Sequence, residues 1–392
     1  MKINVAFFFG GKSVEHEISV ISALQAMAAT DRNKYTVTPI YISKEGDWYT
    51  SEALLEVDNY KNIKRLLEKS HKISVDFHGE GFEIYRPSLM GRKSMGKIDV
   101  AFPVLHGTNG EDGVLQGFFE LKNLPYVGSN VLGSAIGMDK VIMKMVLKEN
   151  NIPTVDYVWF TDKEWYLNKN AIQQKINTLG FPVIIKPANL GSSIGISHAN
   201  NENELKEAIE MAGSFSTRIL VEKMITDLRE INCSVMGSVD KQEASVCEEP
   251  LRSGEILTYE DKYNSNAKGA ASKGMESTQR IIPAKIPDEL TERIQQMAQK
   301  TFRVLNSSGV ARLDFLIDKS TNAVYVNEIN SIPGSLSFYL WEATGKSFET
   351  LIDDLINVAL KRHQEQDNYM MSYNQNIFTL NTNSMKMGKG KA

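Results

Sequence analysis

The chain has 392 residues, of which 42% are hydrophobic and 23% charged, as in globular proteins of two or three domains. Its formal net charge of -4 gives no overall electrostatic attraction to nucleic acid or to an anionic membrane. Cys233 and Cys247 lack the spacing of a metal site or a disulfide framework, and no apolar run suits a signal segment or a membrane span, so we expect a cytoplasmic protein.

The first part of the chain alternates strand and helix patterns. Residues 3–9, 35–42 and 99–104 read as strands, and the apolar residues of 17–29 recur at helical spacing. This order predicts a parallel α/β sheet, whose ligands lie beyond the carboxyl ends of its strands. Residues 51–97 are rich in charge, and we expect most of them to form loops.

The sequence AFFFGGKS, which begins at Ala6, ends like a phosphate-binding P-loop. A P-loop needs a flexible turn whose N–H groups wrap the phosphates, and here three phenylalanines occupy that turn. We therefore interpret residues 3–9 as a buried strand that stops at Gly10 and Gly11, and we look for the nucleotide elsewhere.

After this unit, short strands and helices mix in the manner of α+β domains. A helix is predicted over residues 133–149, and Asn151 and Pro153 end it. The polar residues 252–279 predict a lid or binding loop, because so long a connector is uncommon inside a compact domain. Residues 364–392 lack periodicity and predict a disordered tail. The other predicted strands are 155–160, 183–186, 218–222, 230–236, 311–317 and 323–329, and the other predicted helices are 205–211 and 290–305.

Four polar residues stand in two apolar strands near the end of the chain: Arg312 and Asp314, then Glu328 and Asn330. Alternation places each pair on one face of its strand. If the two strands are hairpin neighbours, three oxygen ligands and one guanidinium converge, and Mg²⁺ with ATP phosphates suits such a set. The alternative is a solvated sheet face that carries a simple Arg–Asp pair.

The segment FPVIIKPANLGSSIGIS places Lys186 at the end of an apolar strand, followed by Gly191, Ser192, Ser193 and Gly195. Such a turn can fold N–H groups and hydroxyls over phosphate oxygens, while the lysine supplies positive charge. An ordinary hairpin turn is the alternative. The next apolar strand, LVEKMI, can present Glu222 and the following backbone to an adenine edge, or simply carry a surface Glu–Lys pair.

Two polar residues follow strands of the N-terminal unit. Glu15 lies near the start of the first helix, and His106 lies just past the strand predicted at 99–104. Both positions are at the carboxyl edge of the sheet, where a small ligand with an ammonium group can meet Glu15. The alternatives are that Glu15 compensates the helix dipole and that His106 is an ordinary loop histidine.

Together these segments resemble the D-alanine–D-alanine ligases of the ATP-grasp superfamily. The matching segments read GGKSVEHEIS, FPVLHGTNGEDGVLQGFFE, MDK, FPVIIKPANLGSSIGIS, LVEKMI, REINCSV, YEDKY, RLDFLID and VNEINSIPG, and they cover most of residues 1 to about 360. The resemblance implies a Rossmann-like parallel α/β domain followed by a two-part ATP-grasp fold. The implied domains are 1–128, a central subdomain at 129–215 and a C-terminal domain at 216–363 with its lid at about 252–279.

The resemblance also implies how ATP and metal are bound. Two Mg²⁺ ions, or Mn²⁺ in their place, would be held by Asp314, Glu328 and Asn330. Phosphoryl transfer mainly requires positioning and charge neutralisation, which lysines and metals supply. The implied ATP-binding residues are Lys140, Lys186, Ser193, Glu222, Lys223, Ile225, Glu230 and Lys262.

For the amino acids, the resemblance implies that Glu15 holds the ammonium of the first substrate, with His106 nearby. ATP would convert that substrate into an acyl phosphate, which the amine of the second amino acid attacks. Arg312 and the Gly334 N–H would stabilise the oxyanion, and a closing lid would exclude water. A hydrogen-bonded trio would link the N-terminal domain, the Gly/Ser loop and the lid: Glu15, Ser192 and Tyr263.

One segment departs from the family. After NSIPG the family usually has a Thr/Ser-His-Ser-like run that binds the carboxylate of the second substrate, but here residues 335–342 read SLSFYLWE. Ser337, Tyr339 and Leu340 are the candidate replacements, so the acceptor is D-alanine, D-serine or another amino acid. Tyr263 favours an amine nucleophile over D-lactate.

The implied activity is the synthesis of D-alanyl-D-alanine for peptidoglycan precursors by a homodimer. A nucleotide-binding regulator without turnover is the alternative of another class. The complete set of Arg312, Asp314, Glu328 and Asn330 argues against such a regulator, because a pure binder does not need the oxyanion arginine.

Overall fold

The computed structural model describes residues 2–78, 81–89, 91–191, 194–251 and 280–368. The sequence predictions for Ser192, Ser193, Lys262, Tyr263, the lid at 252–279 and the tail beyond residue 368 therefore lie outside the described residues. Within the described part, no helix combines the length and the apolar composition that crossing a membrane requires.

The elements alternate along the chain much as the sequence predicts. The strands are β1 (Ile3–Gly10), β2 (Tyr35–Ile42), β3 (Trp48–Thr50), β4 (His71–Lys72), β5 (Ser74–His78), β6 (Gly81–Ser88), β7 (Gly91–Ile98), β8 (Val100–Pro103), β9 (Tyr157–Thr161), β10 (Val183–Pro187), β11 (Ser197–Ala199), β12 (Arg218–Lys223), β13 (Leu228–Gly237), β14 (Gln242–Pro250), β15 (Arg280–Ile281), β16 (Gly309–Asp318) and β17 (Ala323–Asn330). The helices are α1 (His16–Ala29), α2 (Ile63–Glu68), α3 (Val114–Leu121), α4 (Val131–Met138), α5 (Lys140–Glu149), α6 (Asp162–Leu167), α7 (Lys169–Asn177), α8 (Glu202–Gly213), α9 (Asp288–Val304), α10 (Phe338–Ala343) and α11 (Phe348–Asp367).

The N-terminal sheet has the strand order β4-β3-β2-β1-β8, and β1 pairs in parallel with both β2 and β8. Phe7, Phe8 and Phe9 of β1 are fully buried. The strand then turns at Gly10 and Gly11, whose φ angles are 90° and 89°, and a Cβ at the first of these would lie 2.4 Å from a carbonyl oxygen of β2. The interpretation of AFFFGGKS as a strand is confirmed, because its phenylalanines fill the core and do not wrap a ligand.

The prediction that residues 51–97 are mostly loop is wrong. They contain α2 and the small antiparallel sheet β5-β6-β7. Phe82 and Ile84 of β6 and Ile98 of β7 are buried in the core that also covers one face of the N-terminal sheet. Most of β7 is exposed, so its charged sequence resembles that of a loop although its backbone is paired.

The single helix predicted over residues 133–149 is also wrong, because Asp139 divides it into α4 and α5. The backbone of Asp139 is extended, with φ −90° and ψ 102°. Its carboxylate accepts hydrogen bonds from the N–H groups of Val141 and Ile142, each at 3.0 Å. This N-cap starts a new helix at Lys140, and that lysine enters the candidate site described below.

Two antiparallel sheets follow. The central sheet has the order β11-β10-β12-β9 and its own core beneath α6, α7 and α8. The C-terminal sheet has the order β15-β14-β13-β16-β17, and α9 packs its apolar side on one face of it. Helices α10 and α11 join the core of the N-terminal unit, and α11 continues to Asp367, past the predicted start of the tail at residue 364.

Candidate active site

The paired strands β16 and β17 bring the four predicted polar residues together. Their antiparallel register places Arg312 opposite Asn330 and Asp314 opposite Glu328, so the predicted hairpin is confirmed. Arg312 holds Asp314 through two hydrogen bonds, from Nε to Oδ1 at 2.7 Å and from Nη2 to Oδ2 at 2.8 Å. Asn330 donates from Nδ2 to the same carboxylate at 3.2 Å. The alternative of a solvated Arg–Asp pair is wrong, since both side chains are largely buried.

Burial dominates the electrostatics of this pair. It raises the pKa of Asp314 although Arg312 acts in the opposite direction, and the negative charge of Glu328 adds to the increase. Burial also disfavours the charge on Arg312, yet Asp314 keeps the pKa of the guanidinium well above its usual range. A buried carboxylate in such surroundings is stabilised by a further cation nearby.

The donor set fits a hard divalent cation. Asp314 and Glu328 supply carboxylate oxygens and Asn330 supplies an amide, which are the ligands that Mg²⁺ accepts together with phosphate oxygens and water. Among the residues that the structure describes, no three His, Cys, Asp or Glu side chains form a metal cage by themselves. A metal at this edge would therefore depend on Asn330 and on oxygens from the nucleotide.

Two lysines reach β17 beside a β-bulge. Opposite Asp314 and the next residue of β16, β17 carries one extra residue, Asn327. Lys140 at the start of α5 places its Nζ 3.4 Å from Oε2 of Glu328, and Lys186 at the end of β10 donates from Nζ to Oδ1 of Asn327 at 3.2 Å. Two cations, one from α5 and one from β10, thus reach the acidic edge of the C-terminal sheet.

Sequence reasoning did not identify Lys144, which completes a buried charged triad. The carboxylate of Glu222 lies between two ammonium groups, with its Oε1 2.5 Å from Nζ of Lys144 and its Oε2 2.5 Å from Nζ of Lys186. Burial opposes the charge on Glu222, but the two lysines lower its pKa to about 2. Burial also lowers the pKa of Lys144, which is almost fully enclosed.

These contacts exclude one of the two interpretations of Glu222. A surface pair with Lys223 is wrong, because Glu222 is buried while Lys223 is exposed at the end of β12. The Glu222 side chain is bound to two lysines, and its contact with adenine stays a prediction. Ile225 lies in the turn from β12 to β13 and Glu230 lies in β13, and their contact with ATP stays a prediction. The spacing of Lys140 and Lys144, four residues apart on a helix, is the sequence signal for the missed lysine.

At the carboxyl edge of the N-terminal sheet, Glu15 lies between two loops. A Cβ placed on Gly107 would come within 2.6 Å of Oε2 of Glu15, and one placed on Gly191 would come within 3.5 Å of the same atom. The carboxylate therefore lies next to the loop after β8 and to the first glycine of the predicted Gly/Ser loop. This is the proximity that the predicted trio requires of its N-terminal member, while the other two members lie outside the described residues.

His106 connects the N-terminal unit to the segment after β17. Its Nδ1 lies 2.7 Å from the Ile332 carbonyl oxygen, which can only accept, so Nδ1 carries the proton. Nε2 then accepts from Oγ of Ser22 at 3.0 Å, and that hydroxyl oxygen accepts the N–H of Ser335 at 2.9 Å. Burial lowers the pKa of His106, which agrees with a neutral ring. Both ring nitrogens are bound within the protein, so its contact with substrate stays a prediction.

Glu111 is a second connection that sequence reasoning missed, although it lies in the quoted segment HGTNGEDG. Its Oε2 accepts the N–H of Gly107 at 2.9 Å, and its Oε1 accepts the N–H of Ile332 at 2.8 Å. Burial and the negative charge of Glu15 raise the pKa of Glu111 to about 7. The residue therefore fixes the loop beside Glu15 to the segment that follows Asn330.

We expect Glu111 to make stability depend on pH. Its pKa rises from an ordinary 4.5 to about 7 in the folded state, so between these values the native protein binds more protons than the unfolded chain. Its contribution to the free energy of unfolding, about 3 kcal/mol in total, is complete below pH 4.5 and is lost as the pH rises through 7. Urea unfolding of the wild type and of Glu111→Gln at pH 5 and pH 8 measures the difference, in which groups that do not interact with Glu111 cancel. Parallel pH curves for the two proteins would contradict the assignment.

The candidate acceptor segment begins with a left-handed turn. Ser335, Leu336 and Ser337 have φ angles of 51°, 53° and 52°, a conformation that side-chain-bearing residues seldom adopt in succession. Ser337 and Leu340 are fully buried, whereas Tyr339 at the start of α10 directs its hydroxyl towards a carboxylate of β14. A role of Gly334 N–H at an oxyanion stays a prediction.

Comparison with known proteins identifies the family of the chain. Models described as D-ala D-ala ligase N-terminus and D-ala D-ala ligase C-terminus match residues 4–129 and 146–357. A D-alanine–D-alanine ligase of Thermosipho melanesiensis is 40% identical over 391 residues, 99% of this chain and 100% of that protein.

Two solved structures extend the comparison to the fold. The VanG D-Ala:D-Ser ligase of Enterococcus faecalis has a TM-score of 0.75 and 31% identity, covering 92% of this chain and 100% of that one. The D-alanine–D-alanine ligase of Bacillus anthracis complexed with ATP has a TM-score of 0.66 and 26% identity, covering 93% and 99%. The fold is therefore that of an ATP-grasp enzyme. The chain belongs to the D-alanine–D-alanine ligase family, whose members are ATP-dependent ligases.

Proposed function

We propose that this ligase joins two D-alanine molecules into D-alanyl-D-alanine for peptidoglycan precursors. The observation that carries the proposal is the approach of Lys140 to Glu328, with Nζ and Oε2 3.4 Å apart, beside the Arg312–Asp314 pair. The carboxylates of Asp314 and Glu328 and the ammonium groups of two lysines meet there. Phosphoryl transfer between ATP and a carboxylate requires such positioning and charge neutralisation. Glu15 lies beside Gly107 and Gly191.

The reaction divides into two steps. The carboxylate of the first D-alanine attacks the γ-phosphorus of ATP, which forms D-alanyl phosphate and releases ADP. The amine of the second D-alanine then attacks the carbonyl carbon, loses a proton and expels phosphate. Glu15 would orient the first ammonium, and Lys140 and Lys186 would hold the phosphates. Two Mg²⁺ ions at Asp314, Glu328 and Asn330, or Mn²⁺ in their place, would neutralise phosphate charge.

Arg312 would serve the second step. Attack on the acyl phosphate creates an oxyanion, and a guanidinium fixed by two hydrogen bonds needs little reorganisation to stabilise it. The same residue faces Asn330 across the sheet, so the metal edge and the oxyanion position adjoin. A cytoplasmic homodimer is the assembly that the family resemblance implies.

The test is a balance of products. Purified protein with ATP, Mg²⁺ and D-alanine is expected to yield one ADP, one phosphate and one dipeptide per turnover, measured by coupled ADP release and mass spectrometry. L-alanine should give none, and EDTA should abolish turnover until Mg²⁺ or Mn²⁺ is restored. No dipeptide from D-alanine alone, but D-alanyl-D-serine when D-serine is added, would favour the D-serine acceptor. ATP binding without turnover for any amino acid would favour the non-catalytic regulator.

A further inference from the structure

Three buried polar side chains form a cluster beside the acceptor segment. Glu248 on β14, Arg280 on β15 and Tyr339 on α10 are all at least nine-tenths buried. Residues 335–342 lack the Thr/Ser-His-Ser-like run that the family resemblance leads us to expect there. We call these three residues the Arg280 cluster.

The cluster holds the guanidinium of Arg280 in one orientation. Nη1 of Arg280 lies 3.2 Å from Oε2 of Glu248, and the guanidinium carbon lies 4.0 Å from the centre of the Tyr339 ring. The Tyr339 hydroxyl donates to Oε1 of Glu248 at 3.3 Å, and Nδ2 of Asn232 donates to the same oxygen at 3.0 Å. A stacked and ion-paired arginine loses little further freedom when it binds a ligand.

The register of the sheet connects this cluster to the metal edge. Asn232 of β13 lies opposite both Glu248 of β14 and Asp314 of β16, and Asp314 lies opposite Glu328 of β17. One row of polar side chains therefore crosses four strands on the face that α9 does not cover. Neighbouring strands are about 4.8 Å apart, so Glu248 stands about 10 Å from the Asp314 position. That distance is on the scale of one small amino acid between the two.

The two serines of the preceding turn are enclosed in the protein. The left-handed turn at 335–337 is fixed by the hydrogen bond from the Ser335 N–H to Ser22, and Ser337 has no exposed surface. Trp341 donates from Nε1 to Oγ of Ser234 at 3.0 Å, which seats α10 on β13. Within α10, Tyr339 is the side chain that this seating turns towards β14 and Arg280.

We propose that Arg280, oriented by Glu248 and Tyr339, binds the carboxylate of the second amino acid and so determines acceptor specificity. The inference rests on the proposed function, because it assigns the acceptor side of the same site. A guanidinium matches the two oxygens of a carboxylate in a planar fork. In this arrangement the acceptor's carboxylate faces the Arg280 cluster, and its amine faces the acyl phosphate beside Arg312.

The test separates the two half-reactions. Hydroxylamine traps the acyl phosphate formed from ATP and D-alanine, so it reports on the donor step without the acceptor. Arg280→Gln is expected to raise the half-saturating acceptor concentration for dipeptide formation by about 10- to 100-fold, as loss of a charged hydrogen bond does. Trapping and the KM for ATP should stay within about twofold of wild type, and Arg280→Lys should recover part of the loss.

Arg229→Gln is the matched control. Arg229 makes its own paired contact with Glu249, the neighbour of Glu248, with Nε to Oε1 at 2.8 Å and Nη2 to Oε2 at 2.6 Å. Because side chains alternate along a strand, this pair lies on the other face of β14. Its loss should leave the half-saturating acceptor concentration unchanged.

Equal effects of the two glutamine variants, or equal loss of trapping and ligation in Arg280→Gln, would overturn the proposal. If Arg280→Gln does not fold, Arg280→Lys is compared with Arg229→Gln in the same assays. Wild-type turnover is measured first, so failure of the D-alanine assignment is seen separately. The half-saturation series then uses whichever amino acid, such as D-serine, supports turnover.

Discussion

Replacing Arg312 by alanine is expected to lower kcat for dipeptide formation by about 10²- to 10³-fold, the range for loss of one preorganised oxyanion donor. The guanidinium is fixed by two hydrogen bonds of 2.7 and 2.8 Å to Asp314, so no neighbouring group can take its position without rearrangement. The KM for ATP should change little, because the lysines that approach Glu328 and Asn327 are untouched. Steady-state ADP release at saturating D-alanine measures the loss.

Two observations distinguish a chemical role from a structural one. Without Arg312 the buried Asp314 loses its cation, so Mg²⁺ with a non-hydrolysable ATP analogue should raise the melting temperature of the variant more than that of wild type. Arg312→Lys keeps a positive charge but not the paired geometry, and it should restore stability better than it restores kcat. Wild-type turnover in Arg312→Ala would remove the oxyanion assignment.

Local patterns explain why so much of this edge was predictable. Alternation in the two strands that contain Arg312 and Glu328 fixes which side chains share a face, and two sequential strands usually pair as neighbours. The apolar run through Phe7, Phe8 and Phe9 likewise predicts a buried strand without tertiary information. In both cases the decisive contacts lie within or between adjacent elements.

The missed features depend either on contacts distant in sequence or on local signals that the charged and helical patterns obscure. Glu111 is held by the backbone of Ile332, 221 positions later, and no local pattern indicates this bond. Asp139 interrupts a helical pattern only because its carboxylate caps the next helix. The exposed strand β7 owes its conformation to pairing with β6, since its own charged sequence favours a loop.

The Lys144–Glu222–Lys186 triad leads to the second large effect. Two lysines and one carboxylate carry a net charge of about +1, whereas Glu222 with Lys186 alone is neutral. Lys144→Met should therefore weaken binding of Mg²⁺ with an ATP analogue, by about 10- to 100-fold, because Lys186 becomes fully paired with Glu222. It should also lower the free energy of unfolding by about 3–5 kcal/mol, as removing one partner of a buried ion pair does.

A double variant separates the effect of the lost charge from the effect of lost packing. Lys144→Met with Glu222→Gln removes both charges and leaves Lys186 as the cation of the group, so ATP-analogue affinity should recover above that of Lys144→Met alone. Lys144→Arg, which keeps the charge, should bind close to wild type if the larger side chain is accommodated. Isothermal titration of wild type and these three variants with the analogue and Mg²⁺ measures the affinities. A double variant that binds no better than Lys144→Met would show that Lys144 supports the fold without tuning the charge of Lys186.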